Sequence, residues 1–346
     1  IYPATKRDYW IYVPSQYRET CPACLMVFQD GQAYVNDDGP VKAAKIFDEL
    51  IHNQEMPVTI GIFVSPGLIN QTSTRSEEYV ATGDVYARFL LEEIIPEVSK
   101  DYLLVNNRTG RAICGMSDGG LCAFAVAWQR TDFFSKVICH IASFARHVEG
   151  ADFPHLVRQT RNSPKPLRVF LADGKNDLNL NEGNWTLGNL NMASALQFSK
   201  YDYRLELGPG GELFPETLGW LWRDYPSVKT TFPAYEEILG EWEMTTNFYG
   251  THTKTSLFIS KKNDALLATI QDEKEGEIAI GDITYQGRSL QYSHATFSFQ
   301  AKWGKSVTRT MLALLRYEKG TLKGTLSGIC ETDTSYDYTF SGVRIP

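Results

Sequence analysis

Apolar runs too continuous for half-exposed strands alternate with amphipathic stretches over the first two-thirds of this chain. "CLMVFQDG" is an unbroken apolar run closed by a turn, and "MPVTIGIFVSPG" is a second one ending in Pro-Gly. "RAICG", "SKVICHIASF", "PLRVFLADG" and "DYRLELG" read as further strands, and "YWIYVP" as an early one. Between them "GPVKAAKIFDELIHNQ" and "DVYARFLLEEIIPEVSKDY" carry apolar residues at helical spacing, the second interrupted by Pro96. "GGLCAFAVAWQRTDFF" and "NLNMASALQFSKY" read as two more helices. Strands this apolar must be covered on both faces, and strands separated by helices pair in parallel. The expected fold is therefore α/β: a mostly parallel sheet with helices on both faces.

The texture changes around Tyr225–Tyr235, where "YPSVKTTFPAYEEILG" carries two prolines and reads as a linker with a short helical turn. From "GEWEMTTNFYG" to "YTFSGVRIP" short polar–apolar alternations are separated by turn signals such as "KKND", "EKEGE" and "YEKGTLKG". No helix-length stripe appears there, which predicts an antiparallel β barrel or sandwich. "GEW" at its start and Arg344 near its end resemble the ends of a lipocalin-like barrel. The 346 residues thus divide into two expected domains, 1–230 and 236–346.

A net charge of −7 argues against nucleic acid, whose phosphates need a basic surface. No apolar run reaches the roughly 18 residues of a membrane span. The opening "IYPATKRDYW" has neither Met nor signal peptide, so any targeting segment is expected to be already gone, with a lean towards export. The six cysteines do not form a zinc framework: "CPAC" (Cys21, Cys24) is one C-x-x-C without a second pair, open to a redox or disulfide role. Cys114, Cys122 and Cys139 fall in apolar segments and read as small core residues. No metal or organic cofactor is expected.

"ICGMSDGG" places two glycines, a serine and an aspartate between a strand and a helix. A Gly-x-Ser-x-Gly group in that setting puts the serine on a strained turn where neighbouring side chains would collide, leaving its hydroxyl exposed as a nucleophile. That singles out Ser117; the competing reading is a serine cap on a glycine turn. A serine nucleophile needs two backbone N–H donors aimed at the oxyanion that develops on the attacked carbonyl. The residue after it, Asp118, offers one, and the turn in "VFQDGQ" offers Gln32 for the other, although Asp-Gly is also an ordinary turn signal. The Asp118 carboxylate itself caps a helix N-terminus. An acid should follow the serine in chain order. In "VFLADGKNDLN" the loop position favours Asp177, and Asp173 reads as a turn residue.

Seven stretches in family order resemble the enterochelin-esterase-like esterases of the α/β-hydrolase superfamily. They are "TKRDYWIYVPSQY", "VFQDGQAY", "MPVTIGIFVSPG", "RSEEY", "RAICGMSDGGLCAFAVAWQR", "KPLRVFLADGKNDLNLNEGNW" and "WLWRDYP", within residues 3–226. The resemblance implies a serine esterase with Ser117 as nucleophile, Asp177 as acid and the Gln32 amide as first oxyanion donor. It implies a small-molecule or glycan ester as substrate: acyl groups on carbohydrate, or a siderophore-type ester. Arg75, Glu78 and Trp185 are candidates to line the cleft, against an Arg–Glu structural pair and a packed tryptophan. The C-terminal domain is not covered.

One departure stands out. The family carries its catalytic histidine in a glycine-rich loop after the last core strand, where this chain reads "LELGPGGELFPETLGWLWRDY". It runs from Gly211 straight to Glu212, and only His252 and His294 follow Asp177. Three alternatives stand: the sequence omits residues of a mobile loop, the loop is deleted and leaves a pseudo-esterase that binds without turnover, or His252 reaches across. His140 reads as a buried strand residue, His147 as a loop residue near the pocket in the wrong chain order for the base, and His52 and His155 as helical. A third reading gives the main role to the C-terminal domain, binding glycan or lipid.

Overall fold

The computed structural model describes residues 1–39, 41–80, 83–208, 213–228, 237–248, 251–262, 265–272, 276–286, 289–300, 306–318, 320–329 and 338–345. The turn at Gly210–Glu212, the centre of the expected linker and Cys330 lie outside them. The chain divides into two compact units, Ile1–Thr230 and Thr231–Pro346.

The first unit is built on a seven-stranded sheet. Its strands are β1 (Tyr9–Tyr12), β2 (Cys24–Gln29), β3 (Thr59–Val64), β4 (Arg111–Met116), β5 (Lys136–His140), β6 (Arg168–Asp173) and β7 (Asp202–Leu207). They lie in the order β1-β3-β2-β4-β5-β6-β7, with β1 antiparallel to β3 and every other pairing parallel. Strands β2 and β3 are buried along their whole length, as their unbroken apolar composition requires.

Helices α1 (Gly31–Val35) and α2 (Ala43–His52) follow β2, and α3 (Arg75–Tyr79) follows β3. Then α4 (Asp118–Gln129), α5 (Val148–Gln159) and α6 (Trp185–Phe198) connect β4 to β5, β5 to β6 and β6 to β7, before α7 (Phe214–Trp222). The crossover from β2 to β3 steps one way along the sheet; the three from β4 onward step the other way. Because parallel crossovers are right-handed, reversing the step moves the connecting helix to the opposite face. The sheet is thus covered on both sides, and its order reverses between β2 and β4. Crevices form at the carboxyl ends of strands beside such a reversal.

Pro96 does not end its helix. Residues 85–98 stay helical because a π turn at Leu90–Ile94 precedes Ile95–Val98, where Pro96 occupies a first-turn position that needs no N–H. Helix α5 contains Pro154 and also His155, the residue the sequence marked as helical there. At the amino ends of the last strands Arg168 pairs with Asp202 (2.7 Å) and Asp224 (2.6 Å), and Arg223 also binds Asp202 (2.7 Å). Cys21 and Cys24 are free thiols, one exposed and one buried. Burial pushes the Cys24 thiol up to about 11, opposite to the lowering seen in reactive redox thiols.

The second unit is an antiparallel sheet. Eight strands, from Gly240–Phe248 to Tyr338–Arg344, pair in chain order, and the last pairs back on the first, with Trp242 opposite Arg344. Burial alternates along them: Trp242 and Met244 are buried and Glu243 is exposed, while Leu257 and Ile259 are buried and Phe258 is exposed. The buried set gathers Ile238, Trp242, Leu257, Ile270, Ala313 and Leu322. Arg344 donates to the Leu239 carbonyl (2.6 Å), and Trp242 Nε1 donates to that of Ile238 (2.9 Å). No helix among the described residues is long and apolar enough to cross a membrane.

His140, at the end of β5, is buried with Nδ1 hydrogen-bonded to Tyr34 Oη at 2.9 Å, and burial pushes its ring down to about 4. The folded chain refuses a proton that the unfolded chain accepts. Its contribution is present above the ordinary value of 6.5 and is lost as pH falls towards about 4. The loss is at most about 3 kcal/mol. Urea titrations at stepped pH are expected to show a shallower acid-side decline in His140→Gln than in wild type; parallel slopes would refute it.

Candidate active site

Ser117 sits between β4 and α4 at the carboxyl edge of the sheet, with φ 54° and ψ −124°. A serine enters this left-handed region only when its surroundings hold it there. Its N–H donates to the His140 carbonyl (2.9 Å), and its own carbonyl accepts the Gly120 (3.0 Å), Leu121 (3.1 Å) and Ser143 (3.2 Å) N–H groups. Gly115 makes the turn possible: a Cβ there would lie 2.1 Å from the Gly119 carbonyl oxygen. Ser117 is partly exposed, and among the described residues its hydroxyl makes no side-chain hydrogen bond.

The order reversal sets the turn after β2 beside this serine. Val27 and Phe28 pair with Ile113 and Cys114, so the two strands end together. Asp30 takes a left-handed conformation (φ 54°, ψ 46°), and Gly31 passes so close to β3 that a Cβ would lie 2.3 Å from the Phe63 carbonyl carbon. Gln32 follows, exposed, its side chain accepting the Ser65 hydroxyl at 2.9 Å. The N–H groups of Gln32 and Asp118 stand in first helical turns, which lack internal acceptors, and neither has an acceptor among the described residues.

Arg75, on α3, ties these two turns together. Its Nε and Nη2 fork onto Asp30 at 2.8 and 2.7 Å, its Nη1 reaches Asp118 at 3.1 Å, and Nη2 approaches the Met116 carbonyl at 3.4 Å. Burial works against its charge, but the Asp30 and Asp118 carboxylates outweigh that and raise its pKa. Asp118 is buried and also accepts from Ser143 Oγ (2.6 Å) and Arg146 (3.1 Å), with His147 Nε2 3.5 Å away. Its carboxylate is therefore the hub of a charged cluster and more than a helix cap.

Asp177 lies half-buried in the turn after β6 and accepts the Leu178 N–H at 2.6 Å, while its own N–H reaches Thr186 Oγ1 at 3.3 Å. Two cleft candidates lie elsewhere. Glu78 is buried and saturated by Arg7 (2.8 and 3.0 Å), Thr74 Oγ1 (2.6 Å) and the Gly67 N–H (3.1 Å), so the structural pair is Arg7–Glu78. Trp185 is buried as the first residue of α6. Both are thus interior residues in this structure. His252 lies exposed on a strand of the second unit, opposite Asn247. Sequence reasoning passed over Asp30, Ser143, Arg146 and Asn189; their only signal was a position in loops or on a helix at the carboxyl edge. No group of His, Cys, Asp and Glu among the described residues could hold a metal ion.

A mostly parallel α/β sheet with a strained serine turn at its order reversal defines the class: the esterase-type α/β fold. The family model described as "Putative esterase" matches residues 3–204, and the chain belongs to that family. Among solved structures, a ferulic acid esterase is similar at 18% identity and a TM-score of 0.51, covering 63% of this chain and 92% of that one. The enterobactin esterase of Shigella flexneri, solved with enterobactin, is similar at 17% identity and a TM-score of 0.51 over 63% of this chain. The match spans only 55% of that enzyme's length. At these identities the likeness is one of fold. No curated protein matches the chain.

Gly115→Ala is expected to lose about 1–3 kcal/mol of stability, since the methyl group meets backbone that cannot yield. Denaturant unfolding of the purified variant measures this, and an unchanged midpoint would contradict the close packing of the turn.

Proposed function

We propose that the chain is a serine esterase acting through an acyl-serine intermediate. The observation that carries this reading is the partly exposed Ser117, on a left-handed turn beside two backbone N–H groups without acceptors among the described residues. Ser117 Oγ attacks the ester carbonyl carbon and gives its proton to an imidazole, while the Gln32 and Asp118 amides hold the oxyanion. Collapse expels the alcohol, which takes that proton. Water then attacks the acyl-serine and releases the acid. Asp177 is the residue that orients the imidazole. Arg75 keeps the two donor turns at a fixed separation and borders the cleft with its partly exposed guanidinium.

By family resemblance the imidazole belongs between β7 and α7, where Pro209, Gly210, Gly211 and Glu212 carry none. An intact mass above 39.1 kDa, with peptide mapping that places the extra residues between Gly211 and Glu212, would restore it there; an equal mass would mean a deleted loop and favour a binding protein on the esterase fold. The substrate class is a carboxylic ester, with acyl groups on carbohydrate or a siderophore-type ester foremost by family resemblance. The division at residue 230 supports two domains. The closed order of pairing in the second, with Gly240, Trp242 and Arg344 together, supports a lipocalin-like barrel.

Hydrolysis of p-nitrophenyl acetate by the full chain is expected to fall at least about a thousandfold in Ser117→Ala, leaving the weak catalysis of the oxyanion donors and binding. Equal rates in both proteins would refute the serine mechanism.

A further inference from the structure

Helix α1 carries Gln32 but has only five residues, too few to hold their shape unaided, so its neighbours must fix it. On its amino side the Asp30 N–H donates to Tyr79 Oη at 3.0 Å, and the Arg75 fork holds the Asp30 carboxylate. On its carboxyl side stands Tyr34, two residues after Gln32 and fully buried. The Tyr34 hydroxyl is hydrogen-bonded to His140 Nδ1 at 2.9 Å and accepts the Cys114 thiol at 3.5 Å. Cys114 lies on β4, three residues before Ser117. His140 ends β5, and its carbonyl accepts the Ser117 N–H at 2.9 Å. One hydroxyl therefore joins the helix of Gln32, the strand that leads to Ser117 and the residue that holds the Ser117 N–H.

We propose that Tyr34 is a positioning residue: through His140 and Cys114, its hydroxyl sets the Gln32 amide at a fixed place relative to Ser117. The catalytic part of this inference rests on the esterase reading above, which makes Gln32 an oxyanion donor.

Packing alone does not call for the hydroxyl. The Tyr34 ring lies 4.9 Å from that of Phe28 and 6.3 Å from that of Phe214, contacts that a phenylalanine makes equally well. A polar group in so apolar a setting is costly unless it is hydrogen-bonded. The dependence is mutual: among the described residues His140 Nε2 is buried without a partner, so Tyr34 supplies the hydrogen bond of that ring. Burial pushes His140 down to about 4 and raises the Tyr34 phenol well above its ordinary value, so both are uncharged at neutral pH. The link is thus a directional hydrogen bond, which fixes distance and angle, and not an ion pair. Oxyanion donors act at about 3 Å from the charge that develops, so a small drift of α1 weakens the transition state more than the bound ester.

The test uses the full chain as wild type, Tyr34→Phe, His140→Leu and the double variant, each compared at equal folded fraction set by denaturant unfolding. Tyr34→Phe keeps the ring and removes only the hydroxyl. With p-nitrophenyl acetate it is expected to lower kcat about tenfold, the loss of one ordinary hydrogen bond. Acylation and deacylation both pass through an oxyanion and slow together, so KM is expected to stay within a factor of about two. His140→Leu is expected to match this loss, and the double variant to fall no further than either single change, because both break the same link. In heteronuclear amide spectra, which need no turnover, the Gln32 backbone resonance is expected to shift or broaden in Tyr34→Phe while that of Trp242 in the second unit stays in place. The inference is overturned by wild-type kcat in Tyr34→Phe, by losses that multiply in the double variant, or by an unmoved Gln32 resonance. Absence of Ser117-dependent turnover in wild type would sink the esterase reading separately, and the Gln32 resonance would still decide whether the Tyr34 hydroxyl sets that amide.

Discussion

The reversal of strand order between β2 and β4 is the constraint on which the first unit depends. Right-handed crossovers stepping outward in both directions leave a gap in the helical cover where the two innermost strands end. Asp30 and Ser117 stand at those two ends, each with a positive φ, so the chain turns sharply at both places. The Arg75 guanidinium binds Asp30 and Asp118 together, and removing it would leave two buried carboxylates facing each other across the gap.

Much of this was legible in the chain. Near-continuous apolar strands separated by helical stripes have essentially one solution, a covered parallel sheet, and Gly115 and Ser117 announced their turn through a pattern with a steric reason behind it. What periodicity could not supply was partnership across the sheet. Glu78 follows Arg75 closely in sequence, yet its carboxylate binds Arg7 from the edge of the chain, while Arg75 turns to Asp30 and Asp118. The helix holding Pro96 continues because a π turn shifts its hydrogen bonds.

Asp173 shows the limit most plainly. In sequence, an aspartate before a glycine at a strand end is a turn signal, and it does accept the Gly174 N–H. Its burial beside Asn189 emerges only once α6 has packed on the sheet, and that burial pushes its carboxyl up to about 8. In the second unit the alternation of Trp242, Glu243 and Met244 carried the reading directly, since a period of two leaves little else for such a segment to form.

The ion pairs joining Arg168, Asp202, Arg223 and Asp224 gather at the amino-terminal rim of the sheet, the rim opposite Ser117. The ion pairs fasten the amino ends of β6 and β7, while the serine turn stands beyond the carboxyl end of β4. Loops on the rim that carries Ser117 can change in length without unfastening that mooring.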